Sequence, residues 1–268
     1  MDSKVITFSN FKGGTGKTTN STMTGIELAR RGYKTLLIDL DPQANATNLY
    51  LKTKNNVGGE VTSFDETLMT AIKNKNLKPA IINVIQNLDI LPSSADFSLY
   101  PRYMENIISD YTDRVKYLST LINPWKDDYD YLLVDVPPTI SLITDTALYM
   151  TDYAIVVLQT QERSLQGAQA FIKYMQDQII NEFHAPTLDL LGILPVLLKN
   201  GAPVDKSTLA KAIDIFGKEN IFDITIKNME RLKRYDVTGV TFKDQFDKAV
   251  QDVYSNVTDE IFSRMAGE

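Results

Sequence analysis

Short apolar runs alternate along the chain with longer segments in which the apolar residues recur every three or four positions. The longer segments have the period of amphipathic helices, and the short runs have the length of buried strands. The predicted strands lie near residues 4–9, 34–39, 88–92, 130–135, 153–158, 188–196 and 221–226. Strands that alternate with helices indicate parallel crossover units. We therefore predict an α/β fold, a doubly wound and mostly parallel sheet with helices on both faces.

Glycine, basic and polar residues between the apolar segments mark the predicted ends of the helices and loops. The first helix is predicted to run from Lys17 to the sequence Arg30-Arg31-Gly32, where basic residues and a glycine are typical of a C-terminus. The polar segment from Lys52 to Glu60 is predicted to be a loop. No repeat or low-complexity linker interrupts the chain, so a single domain over residues 1–268 is expected.

The C-terminal segment has apolar residues at helical spacing, and this allows two interpretations. The residues are Val250, Val253, Tyr254, Val257, Ile261, Phe262 and Met265. Such a face either packs against the sheet or binds a lipid surface. Only Lys248 and Arg264 are basic between residues 247 and 268, so anionic lipid would gain little from it. Packing inside the fold is the favoured interpretation.

Composition excludes several classes of site. The 268 residues are 43% hydrophobic and contain no cysteine, which excludes disulfides, thiolate metal sites and iron–sulfur ligation. His184 is the only histidine, and we expect it to be structural or solvated. No run approaches about 18 apolar residues, and the first predicted strand starts close to Met1. We therefore expect a cytoplasmic protein.

A glycine-rich segment joins the first predicted strand to the first predicted helix. It reads Asn-Phe-Lys-Gly-Gly-Thr-Gly-Lys-Thr-Thr over residues 10–19. Glycines in this setting let backbone N–H groups converge on phosphate oxygens at a helix N-terminus, where the dipole favours negative charge. The predicted phosphate-binding residues are Lys12, Gly13, Gly14, Thr15, Gly16, Lys17, Thr18 and Thr19. Lys17 would contact the outer phosphates and Thr18 would be a Mg²⁺ ligand, so we predict a nucleoside triphosphate site; the alternative is a glycine turn with a solvated lysine.

This loop departs from the usual phosphate-loop pattern, because Phe11 replaces the first glycine and Lys12 opens the motif. Residues 12–19 resemble the deviant Walker A signature of the ParA/MinD family of ATPases. In that family the extra lysine reaches across a nucleotide-sandwich dimer to the partner's phosphates. The resemblance implies that the nucleotide is ATP, that Lys12 and Lys17 are catalytic, and that a homodimer forms on ATP binding. The alternative for Lys12 is a surface lysine without a partner.

Two further strands end in aspartates, which the strand-end rule for open α/β sheets places in the same crevice. Asp39 and Asp41 end the second predicted strand, and a spacing of two puts their side chains on one side of an extended chain. The block from Asp39 to Asn45 resembles the family's D-x-D-P-Q-x-N element. That resemblance implies that Asp41 is catalytic and orients the attacking water, with Asp39 near the Mg²⁺ shell. Alternatively, either aspartate caps the next helix.

In the segment from Tyr129 to Thr139 a hydrophobic strand ends in Asp135, and the segment resembles the family's Walker B strand with its D-x-P-P tail. The resemblance implies that Asp135 accepts a hydrogen bond from a Mg²⁺-bound water. The predicted metal residues are accordingly Thr18, Asp39 and Asp135. The residues that hold adenine are not determined, and Pro195 and Asn200 are guesses.

Charge is distributed unevenly along the chain. The net charge of the chain is −6. Residues 199–234 contain eight Lys/Arg and five Asp/Glu, so the net charge of this segment is +3 and that of the rest of the chain is −9. The basic residues Lys227, Arg231, Lys233 and Arg234 are predicted to lie on or near a short helix. In ParA-type proteins this part binds DNA without sequence preference, which implies salt-sensitive phosphate contacts. The alternative is an ordinary solvated helix face.

The family resemblance also implies a partner and a location. The chain has no residues for an N-terminal helix-turn-helix domain before its first strand. We therefore expect a separate centromere-binding protein, ParB-like or a small ribbon-helix-helix adaptor, that stimulates hydrolysis. The expected location is cytoplasmic and nucleoid-associated, without a membrane partner. Three alternatives stay open: a MinD-like membrane-cycling ATPase, a P-loop small-molecule kinase or ligase, and a nucleotide-gated module that does not hydrolyse ATP.

Overall fold

A single eight-stranded sheet organises the protein, in the order β3-β4-β2-β5-β1-β6-β7-β8. The computed structural model describes residues 2–58, 66–198 and 203–267. The strands are β1 Lys4–Ser9, β2 Thr35–Asp39, β3 Ile82–Ile85, β4 Leu88–Leu91, β5 Tyr131–Asp135, β6 Tyr153–Gln159, β7 Asp189–Leu198 and β8 Ile226–Lys227. All neighbouring strands pair in parallel except β3 and β4, which are antiparallel. The predicted fold class is confirmed.

The helices connect these strands and cover both faces of the sheet. They are α1 Lys17–Arg30, α2 Asn45–Gly58, α3 Leu68–Lys73, α4 Tyr100–Ile107, α5 Tyr111–Ile122, α6 Leu142–Tyr149, α7 Glu162–Tyr174, α8 Pro203–Phe216, α9 Glu230–Thr238 and α10 Gln245–Ala266. Successive residues of β5 show why two layers form: Leu132 and Val134 belong to one core, and Leu133 belongs to the other. Helices α1, α2, α9 and α10 bury side chains in the second core, and the remaining helices pack on the first.

Several predicted boundaries agree with the structure. Helix α1 has the predicted bounds, and Gly32 follows it with φ 92°. The apolar face of α10 is buried in the core, with Val250, Tyr254, Val257 and Ile261 each at most 1% exposed. The interpretation that this face packs inside the fold is confirmed. Within the described ranges, none of the helices has the length and apolar composition that crossing a membrane requires.

The predicted loop over residues 52–60 is wrong where the structure describes it, because α2 continues to Gly58; residues 59–60 lie outside the described residues. Tertiary hydrogen bonds stabilise this polar end of the helix. The Thr53 hydroxyl accepts from the Val240 N–H at 2.9 Å, and the Asn56 amide donates to the Thr238 carbonyl at 2.6 Å. These partners are distant in sequence, so the local polar composition gave no sign of them.

Two further differences concern the sheet edges. The predicted strand at 221–226 is reduced to one bridge, between Ile221 and Ile193, and the two-residue β8. Between them the N–H groups of Asp223 and Ile224 donate to the Glu260 carboxylate at 2.7 and 2.9 Å, and not to a neighbouring strand. The other edge carries β3, which sequence analysis missed. It forms a hairpin with β4 through a turn in which Asn87 has φ 64°.

Candidate functional site

The glycine-rich loop lies between the end of β1 and the start of α1, at the carboxyl edge of the sheet. Gly14 and Gly16 have φ values of 73° and 93°, a left-handed conformation that L side chains rarely adopt. Gly16 is the N-cap of α1, and no side chain accepts a hydrogen bond from the first turn of that helix. Its N–H groups are therefore free of a competing side-chain cap and can bind an anion.

The two lysines of the loop occupy different environments. Lys17 is 6% exposed, and its Nζ lies 3.4 Å from the Lys12 carbonyl oxygen. Burial lowers the pKa of Lys17, and the negative charges of Asp135 and Asp41 oppose that shift. Lys12 is half-buried, and its Nζ donates to the carbonyl of the neighbouring Gly13 at 2.6 Å. Thus Lys17 lies within the site, whereas the amine of Lys12 contacts only its own loop.

Thr18 and Asp135, two of the predicted metal residues, contact each other. The Thr18 hydroxyl donates to Asp135 Oδ2 at 2.8 Å, and the Ser21 hydroxyl donates to Oδ1 at 3.3 Å. Asp135 is fully buried, which raises its pKa to about 8, and Asp39 contributes because it is paired with Asp135 in the sheet register. Within the described residues, no cluster of three or more His, Cys, Asp or Glu side chains has metal-binding geometry.

The residues present nevertheless fit a Mg²⁺ ion that is bound together with phosphates. Mg²⁺ prefers oxygen ligands and commonly takes only one or two from the protein beside substrate phosphates and waters. The Thr18 hydroxyl and the buried Asp135 carboxylate are oxygen ligands of this kind, and they touch each other at the start of α1. The carboxylate charge there is compensated in part by Lys17. A cation bound together with phosphate would neutralise the part of the Asp135 negative charge that Lys17 leaves uncompensated.

Asp39 and Asp41, at the end of the second strand, lie in different environments. Asp41 lines the cleft, and its Oδ1 accepts from the Gln43 N–H at 2.9 Å. Asp39 is fully buried, and burial raises its pKa to about 6. Its Oδ1 accepts from the Asp41 N–H, and its Oδ2 accepts from both the N–H and the hydroxyl of Thr47. Asp39 therefore supports the start of α2, and its contact with a metal stays a prediction.

A cleft of about 1000 Å³ opens above the loop, between α2 and α9. A smaller apolar cavity of about 90 Å³ adjoins it and shares Gly16, Leu197 and Leu232 with it. Sequence analysis missed the residues of this cavity. They include Val196, Leu197, Ile226, Asn228, Met229 and Leu232. Their position in the sequence could have predicted this role, because they end or follow β7 and β8 at the edge of the sheet that carries the loop.

Neither guess for the adenine site is supported by this cavity. Pro195 is buried in β7 and does not line the cavity, and Asn200 lies outside the described residues. His184, the single histidine, has φ 57° in the turn that precedes β7. It lines neither the cleft nor the cavity.

The four predicted basic residues do not share one environment. Lys227, in β8, and Arg234, in α9, are exposed. Arg231 is 14% exposed and forms ion pairs with Asp244 and Asp247, and its guanidinium lies 5.5 Å from the centre of the Phe246 ring. Lys233 pairs with Glu230 and lines the cleft. A role in DNA contact stays a prediction for all four, and Arg231 has a clear structural role.

The fold and this site define a phosphate-loop nucleotide-binding protein. A family model described as an AAA domain, AAA_31, matches residues 3–188. The chain is 34% identical over 197 residues to the virulence plasmid ParA family protein pGP5-D of Chlamydia psittaci, which covers 71% of this chain and 68% of that protein. The chain belongs to the ParA family of partitioning ATPases.

Solved structures show the same fold. A putative plasmid partition protein of Borrelia burgdorferi bound to AMPPNP has a TM-score of 0.77 at 21% identity, over 98% of this chain and 100% of that one. Cobyrinic acid a,c-diamide synthase of Mycobacterium smegmatis, with an ATP analogue and magnesium, also has a TM-score of 0.77 at 21% identity. That alignment covers 96% of this chain and 94% of the synthase. Since a partition protein and a biosynthetic enzyme fit equally well, the fold alone does not select a function.

Proposed function

We propose that this protein is an ATP- and Mg²⁺-dependent ATPase that segregates DNA. The main support for this proposal is the geometry of the loop. Its glycines have left-handed backbone conformations, Lys17 is buried beside them, and Thr18 is hydrogen-bonded to Asp135 at the start of α1. The ATP analogues bound to the Borrelia and Mycobacterium proteins support the choice of nucleotide. The triphosphate would lie along the loop, and the apolar cavity would take the base.

Each residue then has a defined task. Lys17 would neutralise the outer phosphates, and Thr18 and Asp135 would hold the metal, which would supply charge stabilisation at the transferred phosphoryl group. Asp41 lines the cleft with one carboxylate oxygen, Oδ1, accepting from Gln43, and it orients the attacking water. Among the described residues the Lys12 amine donates to the Gly13 carbonyl of its own loop, so it could leave that partner for a phosphate of a second protomer. The ATP-bound form would thus be a homodimer.

The dimer would bind DNA without sequence preference. Lys227 and Arg234 are exposed and without an ion pair among the described residues, so they are the cations best placed to contact phosphates. A separate centromere-binding protein, ParB-like or a small ribbon-helix-helix adaptor, would select the cargo and stimulate hydrolysis. The location would be cytoplasmic and nucleoid-associated. The assignment to the ParA family supports this proposal of DNA binding and partner-stimulated hydrolysis.

The decisive experiment compares the wild type with Lys12→Ala and with Lys248→Ala, a control in which an exposed lysine outside the cleft is removed. Light scattering with AMPPNP and Mg²⁺ should show dimers for the wild type and control and monomers for Lys12→Ala. The Lys12→Ala variant should retain ATP affinity, because Lys17 and the glycine cradle are intact. A variant that dimerises normally would remove Lys12 from this role.

The same samples distinguish the alternative functions. Sedimentation with non-specific DNA at two salt concentrations should show ATP-dependent binding that weakens at high salt. Pelleting with anionic liposomes in place of DNA would instead support a membrane-cycling ATPase. Phosphate transfer to a small metabolite, without binding to either, would support a kinase or ligase.

A further inference from the structure

Asn10 fixes the backbone of Lys12 from inside the protein. Asn10 is 1% exposed, and its Oδ1 accepts from the Lys12 N–H at 2.8 Å. Its amide donates to the carbonyl oxygens of Val157 and Ser164 at 3.0 and 3.1 Å. Since both donor hydrogens and the acceptor are used, the side chain has one orientation. The start of α7 thereby determines where the Lys12 backbone lies.

Gly167 in α7 leaves the space that this arrangement needs. A Cβ atom at this position would lie 2.5 Å from Asn10 Oδ1, 3.2 Å from the Lys12 nitrogen and 3.3 Å from the Lys12 Cβ. The first distance is shorter than any normal contact, and Asn10 cannot rotate away without losing its hydrogen bonds. Any side chain at residue 167 would therefore displace the hydrogen bond that holds Lys12.

Phe11, the residue directly before Lys12, packs against the same helix. Its ring packs edge-on against Phe171 and Tyr174, with centroid distances of 5.4 and 5.5 Å. The residue that replaces the usual first glycine is thus an anchor on α7. Lys12 directly follows two residues that are both attached to this helix, while among the described residues its amine donates to the Gly13 carbonyl of its own loop.

We propose that Asn10 and Gly167 are positioning residues for Lys12, which set the direction in which its amine leaves the loop toward a second protomer. This inference rests on the proposed function, because it assumes that Lys12 acts across a dimer. Lys17 belongs to α1 and meets the Lys12 segment through a long contact of 3.4 Å, from its Nζ to the Lys12 carbonyl oxygen, so its contact with nucleotide should depend less on α7. Dimerisation and nucleotide binding should therefore respond differently to changes at these two positions.

The test uses the full chain with Gly167→Ala, Asn10→Ala and the control Gly58→Ala, whose added Cβ would meet nothing within 4 Å. Three quantities are measured: the affinity for a fluorescent ATP analogue, the dimer dissociation constant with AMPPNP and Mg²⁺, and the thermal unfolding midpoint. Loss of one well-formed hydrogen bond corresponds to weakening by about fivefold to tenfold. We expect that weakening of dimerisation in both variants, with nucleotide affinity within about twofold of the wild type and no change in the control.

Combined variants distinguish positioning from general destabilisation. In an Asn10→Ala background, Gly167→Ala should add little, because the atom that its Cβ meets at 2.5 Å is gone. A variant that simply destabilised the protein would lower the unfolding midpoint and both affinities in every background.

The outcomes separate this inference from the function on which it rests. If Lys12→Ala dimerises normally, the proposed function fails first. If Lys12→Ala abolishes dimerisation while Gly167→Ala and Asn10→Ala dimerise like the wild type, only the positioning inference is overturned. Equal losses of nucleotide affinity and dimerisation in Gly167→Ala also overturn it.

Discussion

The contact between Gly25 in α1 and Tyr50 in α2 controls the wall of the nucleotide cleft. A Cβ atom on Gly25 would lie 2.5 Å from the Tyr50 hydroxyl and 3.1 Å from Leu133 Cδ1. Tyr50 is fully buried, and its hydroxyl donates to the Thr22 carbonyl at 2.7 Å. Helix α2 contributes Asn45, Asn48 and Lys52 to the cleft. We predict that Gly25→Ala destabilises the protein and shifts α2.

The expected change in the free energy of unfolding of Gly25→Ala is the sum of opposing effects. Alanine in a helix interior is favoured over glycine by roughly 1 kcal/mol, whereas overpacking a buried site typically costs about 1–3 kcal/mol. Moving Tyr50 also breaks its hydrogen bond, which is a further loss of about 1 kcal/mol. The net expectation is a loss of about 2 kcal/mol in the free energy of unfolding, which lowers the melting temperature by roughly 4–8 °C.

Tyr50→Phe removes the atom that the new Cβ meets. Alone it should lose about 1 kcal/mol, because the Thr22 carbonyl loses its donor. In the double variant the clash with the hydroxyl is absent and the helix propensity of alanine remains. The double variant should therefore be at least as stable as Tyr50→Phe and more stable than Gly25→Ala.

The assay is denaturant unfolding of both single variants, the double variant and the control Gly58→Ala, together with ATP-analogue affinity. Affinity should fall in Gly25→Ala and recover in the double variant as α2 returns to its place. Strictly additive losses would refute the reasoning, since they would mean that the added methyl group and the hydroxyl do not compete for the same space.

Three further predictions concern single side chains. Burial raises the pKa of Asp135 to about 8, so the folded protein retains a proton that the unfolded chain releases near pH 4, at about the ordinary carboxyl pKa. The nucleotide-free protein should then lose stability as pH rises between these values, and Asp135→Asn should reduce that slope; denaturant unfolding at several pH values checks this, and a flat wild-type profile would contradict it. Arg231→Ala should lose about 1–2 kcal/mol, because the buried Asp247 keeps its other donors but loses its cation. Arg234→Ala should instead weaken DNA binding at unchanged melting temperature, and equal melting temperatures for the two variants would argue against the structural role of Arg231.

Local patterns were sufficient for the sheet and the loop. The segments of β1, β2, β5, β6 and β7 are mostly apolar, as is typical of buried parallel strands, and glycines with a following Lys-Thr mark the loop. The hairpin strand β3 was missed because its run is short and half-exposed. The C-terminal half of α2 was missed because its polar side chains bond to residues near position 240.

Residue roles were harder to derive than elements. The spacing of Asp39 and Asp41 suggested that they face one way, yet β2 ends at Asp39, and the chain that follows directs only Asp41 to the cleft. Arg231 looked like one of four basic surface residues, but Asp244 and Asp247 on α10 hold it. Both outcomes depend on the path of the chain beyond the local motif.

Local sequence signals were enough to predict most of the strands and the first helix, the glycine cradle with Lys17, and the position of Asp135 at the end of its strand. These follow from periodicity and from backbone preferences that act over a few residues. The attachment of Asn10 and Phe11 to α7, about 150 residues away along the chain, is visible only in the assembled fold. Close packing brings together side chains whose distance in sequence carries no periodic signal, so such contacts arise only once the sheet and its helices have assembled.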